Sequence, residues 1–263
     1  MKIKNSIKNS LFIRSFYLAK SNPNKIGLMI LFDAMFLASL FAMSKLGTYF
    51  AQLLFVPQPS ASLYMLIILT LIYYLIILIA YSFFKYCVLD FIKSLFGSTS
   101  FSFRRLDQFC VLNIMISAIF FAIMLVFNAI LSGIKESFAP FIFVFLAVPY
   151  LLILYLTANI SQSLFYQESS AKISVKKGLK IIFTNIKSYR ETILIMILFA
   201  LFFGLLFLGG GYLIRTLTSK NYSLYLALYS YSKKISIIIF EVALYVIILI
   251  NRISFYSIAN QGK

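Results

Sequence analysis

Four charged residues lie inside long apolar stretches, where a charge could carry chemistry: Asp33, Lys45, Glu241 and Arg252. An ionisable side chain at the centre of a bilayer costs at least about 2.5–3.5 kcal/mol on insertion scales, so such residues are functional candidates by default. A carboxylate there can pass a proton or an ion, and two opposite charges can hold helices together. These four residues are therefore the first candidates for a site.

The spacing of the four charges allows two ion pairs. Asp33 and Lys45 are 12 residues apart and Glu241 and Arg252 are 11 apart, so antiparallel packing would match Asp33 with Arg252 and Lys45 with Glu241 in depth. Eleven residues return nearly to the same helix face, whereas twelve rotate by about 120°. We expect at least one pair to form. The alternatives are a proton or ion relay through Asp33 and Glu241, and snorkelling of Lys45 and Arg252 to the headgroups.

Residue types that most enzymes need are scarce in this chain. It has no His, which excludes histidine-ligated zinc and imidazole acid/base catalysis. No two of its seven acidic residues lie closer than 17 residues in sequence, whereas metal-dependent phosphotransfer uses clustered carboxylates. Cys87 and Cys110 form no CxxC pair and are expected to be reduced thiols. The sequence thus predicts no catalytic residues, no cofactor and no metal, and an intramembrane enzyme ranks third among the possible functions.

Transmembrane helices are the elements that must position these residues. The chain is 62% hydrophobic and 12% charged, whereas a soluble domain is about 25% charged, so a soluble globule is excluded. About 20 apolar residues span the hydrocarbon core. The sequence therefore predicts an all-α integral membrane protein, a single polytopic domain over residues 1–263 with no soluble domain. Its six spans are expected near residues 26–51, 61–84, 109–132, 140–161, 192–214 and 235–258.

The basic residues indicate the orientation of these spans. Segments on alternate sides contain 16 and 5 Lys and Arg residues. The positive-inside rule then places both termini in the cytoplasm and the protein in the cell membrane. The net charge of +17 is explained by contact with anionic headgroups, so no nucleic-acid partner is expected.

The segment before the fifth span contains the best amphipathic helix. Its apolar stripe at 3.6-residue spacing consists of Val175, Leu179, Ile182, Ile186 and Tyr189. Four lysines lie off the stripe and are the predicted lipid-headgroup ligands: Lys176, Lys177, Lys180 and Lys187. Such a helix should lie in the headgroup plane with its lysines toward anionic lipid.

Three short segments resemble one another, at residues 7–12, 92–96 and 179–183, and they are 85 and 87 residues apart. Each precedes an odd-numbered span, so the implied unit is a surface helix plus a two-span hairpin, present three times. The alternative is three independent juxtamembrane helices. In outline the chain resembles several uncharacterised six-span families, including the membrane domain attached to some glycerophosphodiester phosphodiesterases. This architectural resemblance transfers no site residues and implies an accessory membrane domain rather than an enzyme.

Other polar residues in or near the spans are expected to serve packing. Asn113, Asn128 and Asn159 are interpreted as interhelical hydrogen-bonding groups. Tyrosines at helical spacing before the sixth span predict a separate interfacial helix on the outer side: Tyr222, Tyr225 and Tyr229.

These observations favour a non-enzymatic membrane scaffold or lipid-interacting component. Its expected partners are a bilayer with anionic headgroups and another membrane subunit. The alternative is a small transporter or permease subunit that uses Asp33 and Glu241. A continuous polar cavity reaching either acid would favour transport, and a solid apolar core would favour the scaffold.

Overall fold

The computed structural model describes residues 10–54, 62–97, 103–134, 138–168, 170–184, 186–218 and 221–261. These residues form α-helices joined by short connections, with one 3-10 helix at Phe103–Arg105, and the described part of the chain contains no strand. The predicted all-α fold is confirmed. The helices are α1 Leu11–Lys20, α2 Pro23–Leu54, α3 Ser62–Phe96, α4 Leu106–Ser132, α5 Ala139–Glu168, α6 Ala171–Thr184, α7 Ile186–Leu217 and α8 Tyr222–Gln261.

Six of these helices, α2 to α5, α7 and α8, are long and apolar enough to cross a membrane, which confirms the predicted number of spans. Several helices extend beyond the predicted apolar stretches. α3 continues to Phe96, and α8 already begins at Tyr222. The prediction of a separate tyrosine-bearing helix before the sixth span was wrong, because no Gly or Pro interrupts residues 222–261. Tyr225 instead stacks between Tyr222 and Tyr229 within α8, at 6.2 and 5.7 Å.

The chain divides into two compact units. One comprises Lys20–Thr184 and Ala259–Lys263, and is called the α2–α6 unit; the other comprises Met1–Ala19 and Asn185–Ile258, and is called the α7–α8 unit.

In the α2–α6 unit, each helix packs on the next along the chain, and α6 contacts both α5 and α4. The core lies at one end of this unit, where α3 and α5 end and α4 begins. The Phe109 ring there lies 5.5 Å from the Tyr86 ring and 5.5 Å from the Phe165 ring. Lys25, near the start of α2, donates a hydrogen bond of 2.6 Å to the Ser94 carbonyl near the end of α3. We call this the basic end of the unit, because the lysines of α6 lie here too.

The α7–α8 unit is an antiparallel hairpin to which α1 is attached. The Phe240 ring of α8 lies 5.5 Å from the Phe199 ring and 5.4 Å from the Phe203 ring of α7. The carboxylate of Glu191 accepts hydrogen bonds from the Ser10 hydroxyl and, at 3.1 Å, from the Leu11 amide. These bonds cap the first turn of α1, where backbone amides have no partner within the helix.

The structure gives the three similar segments different environments. Residues 7–9 of the first segment lie outside the described residues. The second, 92–96, forms the last turns of α3 and is therefore the end of a span rather than a separate surface helix. The third, 179–183, belongs to α6, which is a separate short helix.

Candidate functional site

The four charges singled out in the sequence divide between the two units. Asp33 and Lys45 lie on α2, whereas Glu241 and Arg252 lie on α8. Asp33 and Arg252 are partly buried, and Lys45 and Glu241 are exposed. The Lys45 ammonium lies 5.4 Å from the centre of the Phe41 ring, one helical turn away. The pairing of Asp33 with Arg252 and of Lys45 with Glu241 stays a prediction, and so does the relay.

A layer of buried and partly buried polar side chains crosses α3, α4 and α5 near the basic end. Asn113 on α4 donates a hydrogen bond of 2.9 Å to the Ser82 hydroxyl on α3. The side-chain amide of Gln162 on α5 donates to the side-chain oxygen of Asn113 at 2.8 Å and to the Tyr81 hydroxyl at 3.1 Å. These four residues, together with Lys85 and Asn159, are called the polar layer. It joins three spans by direct side-chain hydrogen bonds.

Lys85 is the ionisable amine of the polar layer. It is 7% exposed, lies within the span Ile67–Phe96, and donates to the Asn159 carbonyl oxygen at 3.3 Å. The side-chain amide nitrogen of Asn159 donates in turn to the backbone carbonyl of Tyr155 at 2.8 Å. Lys85 lies just outside the predicted span at residues 61–84, because the apolar stretch ends at residue 84. The missed signal was the lack of Gly or Pro before Gly97, which lets α3 continue through Lys85.

The packing role expected of the asparagines is confirmed at two positions. Asn113 and Asn159 are buried and hydrogen-bonded to neighbouring helices. Asn128, four turns after Asn113 on the same helix, is exposed. Its side chain therefore has a different environment from the other two.

A second buried ionisable residue, Asp90, also lies outside the predicted spans. Asp90 lies one turn before Lys93 on α3, is buried, and interacts electrostatically with the Lys93 ammonium. That ammonium lies 5.9 Å from the centre of the Tyr166 ring, and the Tyr166 hydroxyl donates to the Tyr86 carbonyl at 2.7 Å. Cys87, a free thiol, is buried beside this group. No three His, Cys, Asp or Glu side chains of the described residues come together as a metal site.

The amphipathic helix of the sequence analysis is shorter than predicted and docks on protein. α6 ends at Thr184, so Ile186, Lys187 and Tyr189 belong to α7, and the side chain of Lys187 lies outside the described part of the structure. The buried face of α6 packs on α4 and α5 rather than lying in lipid as expected. That buried face consists of Ser174, Val175, Gly178 and Ile182.

Gly178 sets the close approach of α6 to α5. A Cβ atom at position 178 would overlap the Ser161 hydroxyl and lie 3.3 Å from the Ser161 Cα. Gly178 is seven residues into α6 and Ser161 is seven residues before the end of α5. Their contact therefore shows that α6 folds back antiparallel along the last turns of α5.

The opposite face of α6 is exposed and basic. Two apolar side chains lie among its lysines, Ile173 at 45% and Phe183 at 68% exposure. We call this the lysine face; its lysines are Lys172, Lys176, Lys177 and Lys180, all exposed. A shallow depression of about 220 Å³ lies near the N-terminus of α6, lined by Gln108, Val111, Ser170 and Ala171.

Comparison with known proteins gave no match: no family model, curated protein or solved structure matches this chain. The polar layer and the lysine face are therefore the features from which function can be inferred.

Proposed function

We propose that this chain is a multi-pass protein of the cell membrane that binds anionic lipid headgroups through the lysine face of α6, as a non-enzymatic lipid-interacting component or scaffold. In this proposal both termini lie in the cytoplasm, so α6 faces the anionic leaflet. The observation that carries it is the exposure of four lysines on one side of a helix whose other side is docked on α4 and α5.

The composition of the lysine face supports lipid as its ligand. Each Lys near an anionic membrane surface contributes about 1 kcal/mol of attraction. Ile173 and Phe183 are exposed beside the lysines. A helix surface that carries both lysines and apolar side chains favours the boundary between headgroups and acyl chains. The helical fold of α6 holds the four charges together on one element, which reduces the ordering cost of binding.

Native mass spectrometry tests this proposal directly. Purified protein would be mixed in detergent with equal amounts of phosphatidylglycerol and phosphatidylcholine, and the retained lipids counted. The variant with Gln at positions 172, 176, 177 and 180 should lose roughly tenfold or more of the preference for phosphatidylglycerol, because four surface lysines are removed.

A control variant removes three basic residues elsewhere, against four on the lysine face. Arg215, Lys233 and Lys234 are also exposed, but they are divided between α7 and α8. Their replacement by Gln should leave most of the phosphatidylglycerol preference in place. An equal loss in both variants would mean that net charge alone binds the lipid, and the proposed site would be wrong.

Transport is a second candidate function, and Lys85 is the observation that favours it. An ionisable side chain buried within a span marks ion or proton pathways in many membrane proteins. If the chain conducts protons, proteoliposomes loaded with a pH-sensitive dye should acidify under a proton gradient, and Lys85→Met should slow the flux. Flux equal to that of protein-free vesicles would contradict this second function as far as protons are concerned.

A further inference from the structure

We propose that α6 transfers between two partners: its apolar stripe is docked on α4 and α5 in the structure, and on an anionic membrane it moves to the bilayer interface. This inference rests on the proposed function and concerns the regulation of the same lysine face. In the docked state Val175 and Ile182 are buried by protein, and in the transferred state they are buried by lipid.

The sequence of α6 suits both partners. Val175 and Ile182 lie on one side of the helix, and Lys176 and Lys180 lie on the other. This is the pattern of a helix that inserts its apolar side at the headgroup boundary and keeps its lysines in the headgroup layer. The same apolar side can be covered by α5 or by lipid, but not by both at once.

The interface between α6 and α5 buries a polar group without a hydrogen bond. The Ser161 hydroxyl of α5 is buried and has no hydrogen-bond partner among the described residues. Buried polar groups without a partner weaken the interface that buries them. The Ser161 hydroxyl points to Gly178, the position of closest approach. Undocking would release this hydroxyl to water or to headgroups, so the docked state is less favoured than its close packing suggests.

The docked and transferred states differ in how deep the four lysines lie relative to the headgroup layer, and anionic lipid responds to that difference. α6 runs back along α5, so Lys172 and Lys180 are separated by eight residues, or about 12 Å along the helix axis. A helix lying flat in the headgroup plane brings all four lysines to one depth. Anionic lipid therefore binds the transferred state more tightly, and only such a difference in affinity can shift the equilibrium.

Thiol reactivity measures the transfer. The only two cysteines, Cys87 and Cys110, would be replaced by Ala, and Val175→Cys introduced into full-length protein in proteoliposomes. Val175 is 5% exposed, so the docked thiol reacts slowly with a membrane-soluble maleimide. At the hydrated headgroup boundary the transferred thiol can ionise and meets the reagent, so it reacts faster. Adding phosphatidylserine to phosphatidylcholine vesicles should accelerate labelling several-fold. In the variant with Gln at the four lysine positions, the acceleration should disappear.

Ile116→Cys is the matched control, because Ile116 on α4 is 4% exposed in the same unit. Its labelling should be the same in both lipids. Equal labelling of Val175→Cys in both lipids overturns the transfer, whether the common rate is slow or fast. If the Gln variant still loses its phosphatidylglycerol preference in that case, the proposed function stands and only the transfer fails. If the lysines do not affect lipid preference, the proposed function itself fails.

A second position protects the test against a misfolded variant. Ile182 is buried on the same side of α6 as Val175, so Ile182→Cys should show the same lipid-dependent acceleration. Acceleration at neither position, in variants that elute as the parent protein does in size-exclusion chromatography, contradicts the proposal.

Discussion

Asn113 connects three spans through one amide group. Its nitrogen donates to Ser82 on α3, and its oxygen accepts from Gln162 on α5. In a bilayer, where helices gain little hydrophobic energy from contacting one another, such side-chain bonds and close packing determine how helices associate. The polar layer therefore fixes the arrangement of α3, α4 and α5 more specifically than their apolar surfaces can.

Replacing Asn113 by Leu should lower the free energy of unfolding by about 0.6–1.7 kcal/mol, because two interhelical hydrogen bonds are lost. Asn128→Leu is the control on the same helix, and its exposed side chain should make the effect smaller than about 0.5 kcal/mol. Steric trapping or reversible SDS unfolding in mixed micelles measures both variants. A double-mutant cycle with Gln162→Leu should show coupling; additive effects would contradict a direct bond.

At this scale the sequence was only partly informative. Asparagines inside spans were correctly interpreted as packing groups at Asn113 and Asn159. Lys85 and Asp90 lie outside the predicted span at residues 61–84, because hydropathy reports where apolar residues stop and not where a helix ends. Their burial depends on α4 and α5 covering the last turns of α3, which is a tertiary property that no local pattern contains.

Among the elements, α6 shows why an amphipathic pattern does not identify its partner. Periodicity correctly placed Val175 and Ile182 on the buried side, and Lys176, Lys177 and Lys180 on the exposed side. It did not distinguish lipid from protein as the covering surface, since both are apolar. The feature that favours protein is Gly178 between Ser174 and Ile182 on the buried side, because a missing side chain permits contact between helices.

Gly178→Ala should destabilise the docked α6 by about 1–3 kcal/mol, since the new Cβ overlaps Ser161 and the helices must separate. Gly204→Ala is the matched control, because its Cβ would meet nothing within 4 Å, and Ala there should gain up to about 1 kcal/mol from helix propensity. Limited proteolysis at the α6 lysines, together with thermal unfolding, reports both effects. Adding Ser161→Gly to Gly178→Ala should restore part of the protection; protection unchanged by Gly178→Ala would contradict the close contact.

Glu191 of α7 caps the first turn of α1. Glu191→Ala removes the acceptor for the Ser10 hydroxyl and the Leu11 amide, and loss of such a cap costs about 0.5–2 kcal/mol. Hydrogen exchange of the α1 amides should therefore accelerate, while exchange in α4 stays the same. Glu191→Gln keeps a carbonyl oxygen and should give an intermediate rate. Glu241→Ala, at an exposed position on α8, should leave the α1 amides protected from exchange. If Glu241→Ala accelerated exchange in α1 as much as Glu191→Ala does, a specific cap by Glu191 would be excluded.

For the whole molecule, the number of spans was predictable because each span must satisfy its backbone internally and cover about 30 Å of hydrocarbon, which leaves a long apolar stretch in the sequence. The division into an α2–α6 unit and an α7–α8 unit left no such mark. It depends on a few contacts, such as Phe240 against Phe199 and Gly178 against Ser161, between residues of ordinary type.

The orientation of the whole molecule is the property on which the lipid proposal depends, because α6 must face the anionic leaflet. In a background with Cys87 and Cys110 replaced by Ala, Gly133→Cys places a thiol just after α4. This thiol should react with an impermeant maleimide in intact cells. A thiol at Lys176 should react only after permeabilisation, and so should tags at both termini. Labelling at position 176 but not at 133 in intact cells would mean that the orientation is opposite to the one that the positive-inside rule predicts.

A C-terminal tag accessible from outside, with the N-terminal tag protected, would mean that α8 does not cross the membrane, although it is long and apolar enough to do so.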